Sequence, residues 1–233
     1  VLFRSVHLAW WLSYLITLLW IVGICNAVNF IDGVDGLAGS VITVNSITLA
    51  IVAVSMTPSN SISALIAFIL SGSMLAFLAY NFNPAKIFMG DSGSLFSGFL
   101  LASLSITGVM KTATLAILLP FVVLAVPIID ITFSTLRRIL KGHSPFVADA
   151  EHIHHKLLKA GLSQNKTVVT ITFVAIVGGA IATSLVGSIG HYLIYMLVLL
   201  LIMFGLSLIA ITRKKNINPE QILEEEQHKN EEQ

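Results

Sequence analysis

Apolar segments of about 20 residues recur along most of this 233-residue chain, and each is long enough to cross a lipid bilayer as a helix. Hydrophobic residues make up 56% of the chain and charged residues only 11%, whereas an average soluble domain has about 25% charged residues. The fold is therefore predicted to be all-α, a polytopic transmembrane helical bundle. We expect spans near residues 8–28, 37–56, 62–82, 94–110, 113–134, 167–187 and 192–212, about seven in all.

The distribution of charge orients these predicted spans and excludes some classes of protein. Lysine and arginine concentrate in the connection 135–166 and at the start of the tail 213–233, and such an excess marks the cytoplasmic side. Alternation of the spans then places the connections 29–36 and 83–93 on that side, on or near which all the acidic residues lie. The net charge of +1 argues against a nucleic-acid partner, and the single cysteine, Cys25, excludes an internal disulfide.

The first polar segment, "NAVNFIDGVDGLAG" at 26–39, directly follows the first predicted span. Asn26 and Asn29 are three residues apart, as are Asp32 and Asp35, and this spacing places side chains on one face at a helix end. Carboxylate and amide oxygens are hard ligands suited to Mg²⁺, and the glycines between them permit a sharp turn or the close approach of a ligand. The alternative is a polar turn between two spans, but ionisable groups at membrane depth are usually functional.

The second polar segment, "NFNPAKIFMGDSGSLFSG" at 81–98, leads into the fourth predicted span. Ser92 or Ser94 is expected to cap the helix of that span, and Asp91 then lies near its positive end. Lys86 is a candidate contact for a phosphate, with a snorkelling interfacial lysine as the alternative. A structural role for Asp91 alone remains open, but a second Asp- and Gly-rich segment on the same membrane face favours a shared site.

The third polar segment, "GHSPFVADAEHIHHKLLKAGLSQ" at 142–164, contains four histidines, of which three, His152, His154 and His155, lie close together in the sequence. Asp149 is a predicted N-cap and Gly161 a predicted C′ residue, so a helix of about three turns is expected between them. The spacing predicts that His154 points away from the other two histidines. The opposite face is expected to be a cationic surface for phosphate, made of His152, His155, Lys156 and Lys159.

Two alternatives remain for this histidine segment. A histidine cluster can bind Zn²⁺, although only Asp149 and Glu151 offer further ligands at a suitable spacing. A solvated amphipathic helix without function is the other alternative. Taken together, the three segments supply metal ligands, cations for phosphate and open backbone. Phosphoryl transfer requires these parts, and the membrane setting indicates a lipid acceptor.

In these three segments the chain resembles the polyprenyl-phosphate N-acetylhexosamine-1-phosphate transferase family, glycosyltransferase family 4. The resemblance covers nearly all of residues 10–212 and is carried by "NAVNFIDGVDGLAG", "NPAKIFMGDSGSLFSG" and "HIHHKLLKAG". It implies transfer of a sugar-1-phosphate from a UDP-sugar to undecaprenyl phosphate, with release of UMP and a requirement for Mg²⁺ or Mn²⁺. It also implies a multi-pass protein of the bacterial plasma membrane with a cytoplasmic active site, and it leaves a homodimer open.

The histidine motif distinguishes two branches of this family. The form "HIHH" resembles the branch that uses UDP-N-acetylglucosamine and begins teichoic acid, O-antigen or related glycans. The peptidoglycan branch, which uses UDP-N-acetylmuramoyl-pentapeptide, typically has three consecutive histidines, and Ile153 interrupts that run here. The peptidoglycan branch is kept as the alternative.

The resemblance assigns expected roles position by position. Asp91 resembles the metal-binding aspartate, and Asn29 matches the residue that joins it on the metal. Asp91, His152 and His155 are expected to be catalytic. The expected substrate contacts are Asn26, Asn29, Asp32, Asp35, Lys86 and His154.

One departure from the family pattern concerns a segment before the first span. The family has an adjacent pair of aspartates in an earlier cytoplasmic loop, and no such pair occurs in this sequence. The chain also opens without a methionine, as "VLFRSVHLAWW". We therefore expect residues 1–212 to be the C-terminal part of the transferase domain, inactive alone, followed by the charged tail 213–233.

Three other classes of protein remain as rivals. A transporter would use Asp32, Asp35, Asp91 and Asp130 as ion sites, but such sites usually lie near the bilayer midplane on broken helices. A phosphatidyl transferase acting on CDP-alcohols would require an arginine shortly after Asp-Gly, whereas this chain reads "DGLAGS" at 35–40. A scaffold without catalytic activity would leave the three motifs unexplained.

Overall fold

A computed structural model describes residues 10–56, 59–107, 120–140, 152–186 and 195, all within the unit Val1–Met196. The described residues form helices and no strands, so the all-α prediction is confirmed for them. The helices are α1 (Trp10–Ile31), α2 (Leu37–Ser55), α3 (Ser61–Asn81), α4 (Gly90–Thr107), α5 (Ala125–Leu140), α6 (Ile153–Lys159) and α7 (Gln164–Val186).

Helix α2 lies at the centre of the bundle and is buried along almost its whole length. A helix that is apolar on all sides is expected to be enclosed by other helices, and α2 packs chiefly against α3 and α7. Its hydroxyl side chains bond back to the helix: Ser40 donates to the carbonyl of Gly36 at 2.6 Å, and Thr43 to that of Gly39 at 2.7 Å. These bonds allow polar residues to be buried without loss of hydrogen bonding.

Four of the described helices, α1, α2, α3 and α7, are long and apolar enough to cross a membrane. The predicted number of about seven spans is therefore not confirmed. Helix α4 has 18 residues and a polar start, and α5 has only 16 residues. The predicted span 192–212 lies outside the described residues, except for Tyr195.

The boundaries of α5 differ from the predicted span 113–134, of which residues 113–119 lie outside the described residues. The helix continues to Leu140 and carries Arg137 and Arg138 in its last turn. Positive side chains stabilise the negative, C-terminal end of the helix dipole. Arg137 and Arg138 therefore support a helix that continues beyond the apolar segment.

The polarity of α5 indicates a lipid environment. Its buried face includes Asp130 and Ser134, whereas Ile129 and Phe133 on the other face are 40% and 62% exposed. Exposed apolar and buried polar side chains are the reverse of what a water-soluble protein shows. Together with the four apolar helices, this pattern identifies a multi-pass membrane protein.

Helix α1 packs against α4 and α5, and this packing brings the end of α1 to the start of α4. The two helices approach closely at Gly98, where a Cβ atom would lie 2.8 Å from the Cα atom of Cys25. Trp20 adds a hydrogen bond from its Nε1 atom to Oγ of Ser105, at 3.1 Å. Small residues at such contacts are the usual means of close helix packing in membranes.

Candidate functional site

Two predicted metal ligands meet where α1 ends and α4 begins. The Nδ2 atom of Asn29 donates to Oδ1 of Asp91 at 3.1 Å and to Oγ of Ser94 at 2.9 Å. Helix α4 begins at Gly90, whose φ of 65° is left-handed, and not at residue 94 as the sequence predicted. Ser94 therefore lies inside the helix, where it donates to the carbonyl of Gly90 at 3.0 Å.

Asp32 is a third acidic or amide side chain near the contact between Asn29 and Asp91. It is half-buried just after the end of α1. Burial, and secondarily the negative charge of Asp91, raise the pKa of Asp32 to about 6. Two carboxylates that repel each other in a partly desolvated position are stabilised by a bound cation.

These side chains fit a divalent cation of the Mg²⁺ type. Within the described residues no cluster of three or more His, Cys, Asp or Glu side chains has the arrangement of a metal site. Mg²⁺ does not require one, because it is commonly bound by one or two carboxylates together with substrate phosphates. Asn29 directs its Nδ2 atom at Asp91 here, so coordination by both residues would require the amide to turn and present Oδ1.

The zinc alternative at the histidine segment has no support from the described residues. Its two suggested acidic ligands, Asp149 and Glu151, lie outside them.

Asp35 joins the first polar segment to the second. Its Oδ2 atom accepts from the backbone N–H of Ala85 at 3.0 Å and from Nδ2 of Asn83 at 3.2 Å. Asn81 makes a parallel link, because its Oδ1 accepts from the N–H of Gly36 at 2.9 Å. The two loops are thus fixed to each other by protein groups, and at least one oxygen of the Asp35 carboxylate is engaged in that link.

The three histidines form one cluster of rings. His152 is 5.2 Å from Phe30 and 5.8 Å from His154, measured between ring centroids, and the two imidazole planes are within 6° of parallel. His154 and His155 are 4.2 Å apart.

The prediction that His154 points away is therefore wrong. His152 is the N-cap of α6 with extended backbone, φ −62° and ψ 162°, so helical spacing does not apply to it. The described helix begins at Ile153, and the predicted N-cap Asp149 lies outside the described residues.

His154 is the most deeply buried of the three, with 1% of its surface exposed. Its Nε2 atom lies 2.8 Å from the position that a Cβ atom on Gly33 would occupy. Neither ring nitrogen has a hydrogen-bond partner in the part of the chain that the structure describes. Burial, reinforced by the neighbouring His155, lowers the pKa of His154 to about 4. The ring is therefore neutral at physiological pH and packs α6 onto the first polar segment.

Asp130 of α5 is a site residue whose pairing sequence reasoning missed. Its Oδ2 atom is 3.0 Å from Nδ1 of His152, and its Oδ1 accepts from the N–H of Ile153 at 2.7 Å. Both side chains of the pair are almost completely buried. The sequence did contain one signal for this pair. Asp130 is an ionisable residue inside an apolar segment, and such residues usually pair with another polar group.

The remaining predicted residues contribute less to this arrangement. Asn26 donates from Nδ2 to the carbonyl of Val22 at 2.7 Å, within its own helix. Lys86 is exposed, and its backbone N–H bonds to the carbonyl of Tyr80 at 2.8 Å. His155 is half-buried beside His154. The three polar segments nevertheless meet, through the contacts of Asn29, Gly33 and Asp35 described above.

Comparison with known proteins gives a family match and several curated relatives. The model of the family described as glycosyl transferase family 4 matches residues 1–109. A probable undecaprenyl-phosphate N-acetylglucosaminyl 1-phosphate transferase of Bacillus subtilis is 40% identical over 72% of this chain and 46% of its own length. A decaprenyl-phosphate N-acetylglucosaminephosphotransferase of Mycobacterium leprae is 42% identical over 46% of this chain and 30% of its own length.

An undecaprenyl-phosphate alpha-N-acetylglucosaminyl 1-phosphate transferase of Salmonella typhi is 37% identical over 39% of this chain and 25% of its own length. The chain therefore spans less than half the length of these curated relatives. The family match covers the first two of the three polar segments, and together with these relatives it supports the assignment of the chain to glycosyl transferase family 4.

Proposed function

We propose that the protein transfers N-acetylglucosamine-1-phosphate from UDP-N-acetylglucosamine to undecaprenyl phosphate and releases UMP. The observation that carries this proposal is the contact between Asn29 and Asp91, which joins two polar segments beside the histidine cluster. The names of the relatives support the sugar and the polyprenyl acceptor. We further propose that the site lies on the cytoplasmic face of the bacterial plasma membrane, and the excess of lysine and arginine in the connection 135–166 supports the cytoplasmic side.

In this reaction an oxygen of the lipid phosphate attacks the β-phosphorus of the nucleotide sugar. The bond from that phosphorus to the bridging oxygen breaks, and UMP leaves with this oxygen. A divalent cation, Mg²⁺ or Mn²⁺, held by Asp91 and Asn29, would neutralise charge on the diphosphate. Nε2 of His152 would accept a hydrogen bond from a protonated oxygen of the lipid phosphate, and Asp32 lies close to Asp91. Positioning and charge stabilisation are the main requirements of phosphoryl transfer.

An apolar groove between α1 and the segment leading into α5 is suited to the hydrocarbon chain of the acceptor. It has a volume of about 340 Å³, and its walls are almost entirely apolar. The lining residues are Ile16, Leu19, Trp20, Gly23, Ile24, Phe121, Ile128 and Ile131. Such a groove favours a lipid acceptor over a water-soluble one.

The test uses membranes from cells that express the complete reading frame encoding these 233 residues. With radiolabelled UDP-N-acetylglucosamine and undecaprenyl phosphate, we expect label in the lipid fraction and an equal release of UMP. Asp91→Asn should lower turnover by about 10²–10³-fold, the usual effect of removing one positioned charge stabiliser, at unchanged expression. Transfer only from UDP-N-acetylmuramoyl-pentapeptide would assign the protein to the peptidoglycan branch. Solute uptake without UMP release would favour a transporter.

A further inference from the structure

Asp130 uses both of its carboxylate oxygens to hold the start of α6. Oδ1 accepts from the backbone N–H of Ile153 at 2.7 Å, and Oδ2 is 3.0 Å from Nδ1 of His152. Asp130 and His152 are 3% and 6% exposed. A buried carboxylate is tolerated only when it is paired or hydrogen-bonded, and these two contacts meet that condition.

The chemistry of these two bonds determines where the hydrogen of His152 lies. An ionised carboxylate has only acceptor atoms, and two N–H donors favour its ionised form. Nδ1 of His152 must therefore carry a hydrogen and donate it to Asp130. Nε2 is then the atom of this ring that remains for another partner, and it bears a hydrogen only when the imidazole is protonated.

We propose that Asp130 is a positioning residue that fixes the tautomer and orientation of His152, so that Nε2 is presented as a hydrogen-bond acceptor to a protonated phosphate oxygen of the substrate. The ring contacts with Phe30 and His154 restrict the tilt of the same imidazole. The assignment of phosphate as the partner of Nε2 rests on the proposed function, whereas the assignment of the tautomer does not.

A purely structural role for Asp130, as an anchor of α6, gives different expectations. Asp130→Asn keeps the shape of the side chain and one oxygen that can accept from the N–H of Ile153. Its amide group donates a hydrogen to Nδ1 of His152 and so forces the hydrogen of the neutral ring onto Nε2. An anchor would survive this change nearly intact, but a residue that sets the tautomer would not.

The first readout is the tautomer of His152, measured by ¹⁵N NMR of the histidine-labelled full-length protein in detergent, with His152→Gln to assign the signal. We expect the Nδ1–H form in the parent and the Nε2–H form in Asp130→Asn. Val126→Ala is the matched control, because Val126 is buried on the same face of α5, and it should keep the parental tautomer. The same tautomer in the parent and in Asp130→Asn would overturn the proposal.

The second readout is the transferase reaction of the same variants. Asp130→Asn should lower kcat by about 10²-fold or more, in the range typical of a lost proton or hydrogen-bond contact. KM for UDP-N-acetylglucosamine should change much less. A tautomer change without loss of kcat would overturn the link to phosphate. If the parent shows the predicted tautomer but no transferase activity, the proposed function fails while the positioning of His152 by Asp130 stands.

Discussion

Replacing Gly33 by alanine tests whether α6 is held in place by the contact of its His154 with the first polar segment. The added Cβ atom would lie 2.8 Å from Nε2 of His154, whereas ordinary contacts begin near 3.4 Å. The backbone of Gly33 does not have a positive φ, so alanine introduces no backbone strain there. The whole effect of Gly33→Ala therefore comes from the displacement of His154.

The magnitude follows from the surroundings of that ring. The ring of His154 must move until its distance from the new Cβ atom increases from 2.8 Å to at least 3.4 Å. It has little room to do so, because it is 1% exposed and contacts His152 and His155. Overpacking of this kind typically costs about 1–3 kcal/mol of unfolding free energy, or roughly 2–4 °C in Tm per kcal/mol for a protein of this size. A shift transmitted to His152 should also lower kcat about 10-fold or more, because small misplacements are costly in catalysis.

The assay combines thermal unfolding in detergent with the transferase reaction. Gly72→Ala is the matched control, since a Cβ atom at Gly72 meets nothing within 4 Å, and we expect parental or slightly higher stability there. His154→Ala removes the obstructing ring, so Gly33→Ala should have little further effect in that background. An undiminished effect of Gly33→Ala in the absence of the His154 ring would refute the reasoning.

Two other predictions concern the same region. His154 has a pKa of about 4 in the folded protein, below the ordinary 6.5, so the unfolded state binds the extra proton between these values. Stability should therefore rise as pH increases from about 4 to 6.5 and level off above, and the pH dependence of unfolding should flatten in His154→Gln. Asn81→Leu leaves the N–H of Gly36 without its acceptor, Oδ1 of Asn81, and the carbonyl of Ile87 without its donor, Nδ2 of Asn81. It should lower the unfolding free energy by about 1–3 kcal/mol, measured by thermal unfolding, and parental stability would contradict the proposed link between the loops.

Element length and polarity predicted much of the fold from the sequence. The spans predicted at 37–56 and 62–82 agree with α2 and α3 within about one residue, because bilayer thickness and flanking polar residues fix such helices locally. Helix α5 was predicted less well, since its end depends on charged residues that continue the helix past the apolar segment. Hydropathy thus located α2 and α3 with their ends, but it did not predict the end of a helix that continues past its apolar segment.

The candidate site was predicted in composition but not in arrangement. Residues on one segment, such as Asp32 and Asp35, were identified by type and spacing, whereas pairs between segments depend on helix packing. Asp130 and His152 are 22 positions apart in sequence, and nothing in either local pattern specifies the other. His154 was misplaced for a related reason, since the extended backbone at His152 depends on how α6 docks against α5.

The glycines of "DGVDG" acquire a different explanation once the packing is known. Their spacing in the sequence suggested open backbone for a ligand, but protein side chains approach two of them closely. His154 occupies the space beside Gly33, and Phe82 lies 3.1 Å from the Cβ position of Gly36, whose φ is 80°. Glycine is therefore required there by contacts with α6 and with the second loop. The same small residues bring the three polar segments together around Asn29, Asp32 and Asp91, the groups that we propose bind a cation and a diphosphate.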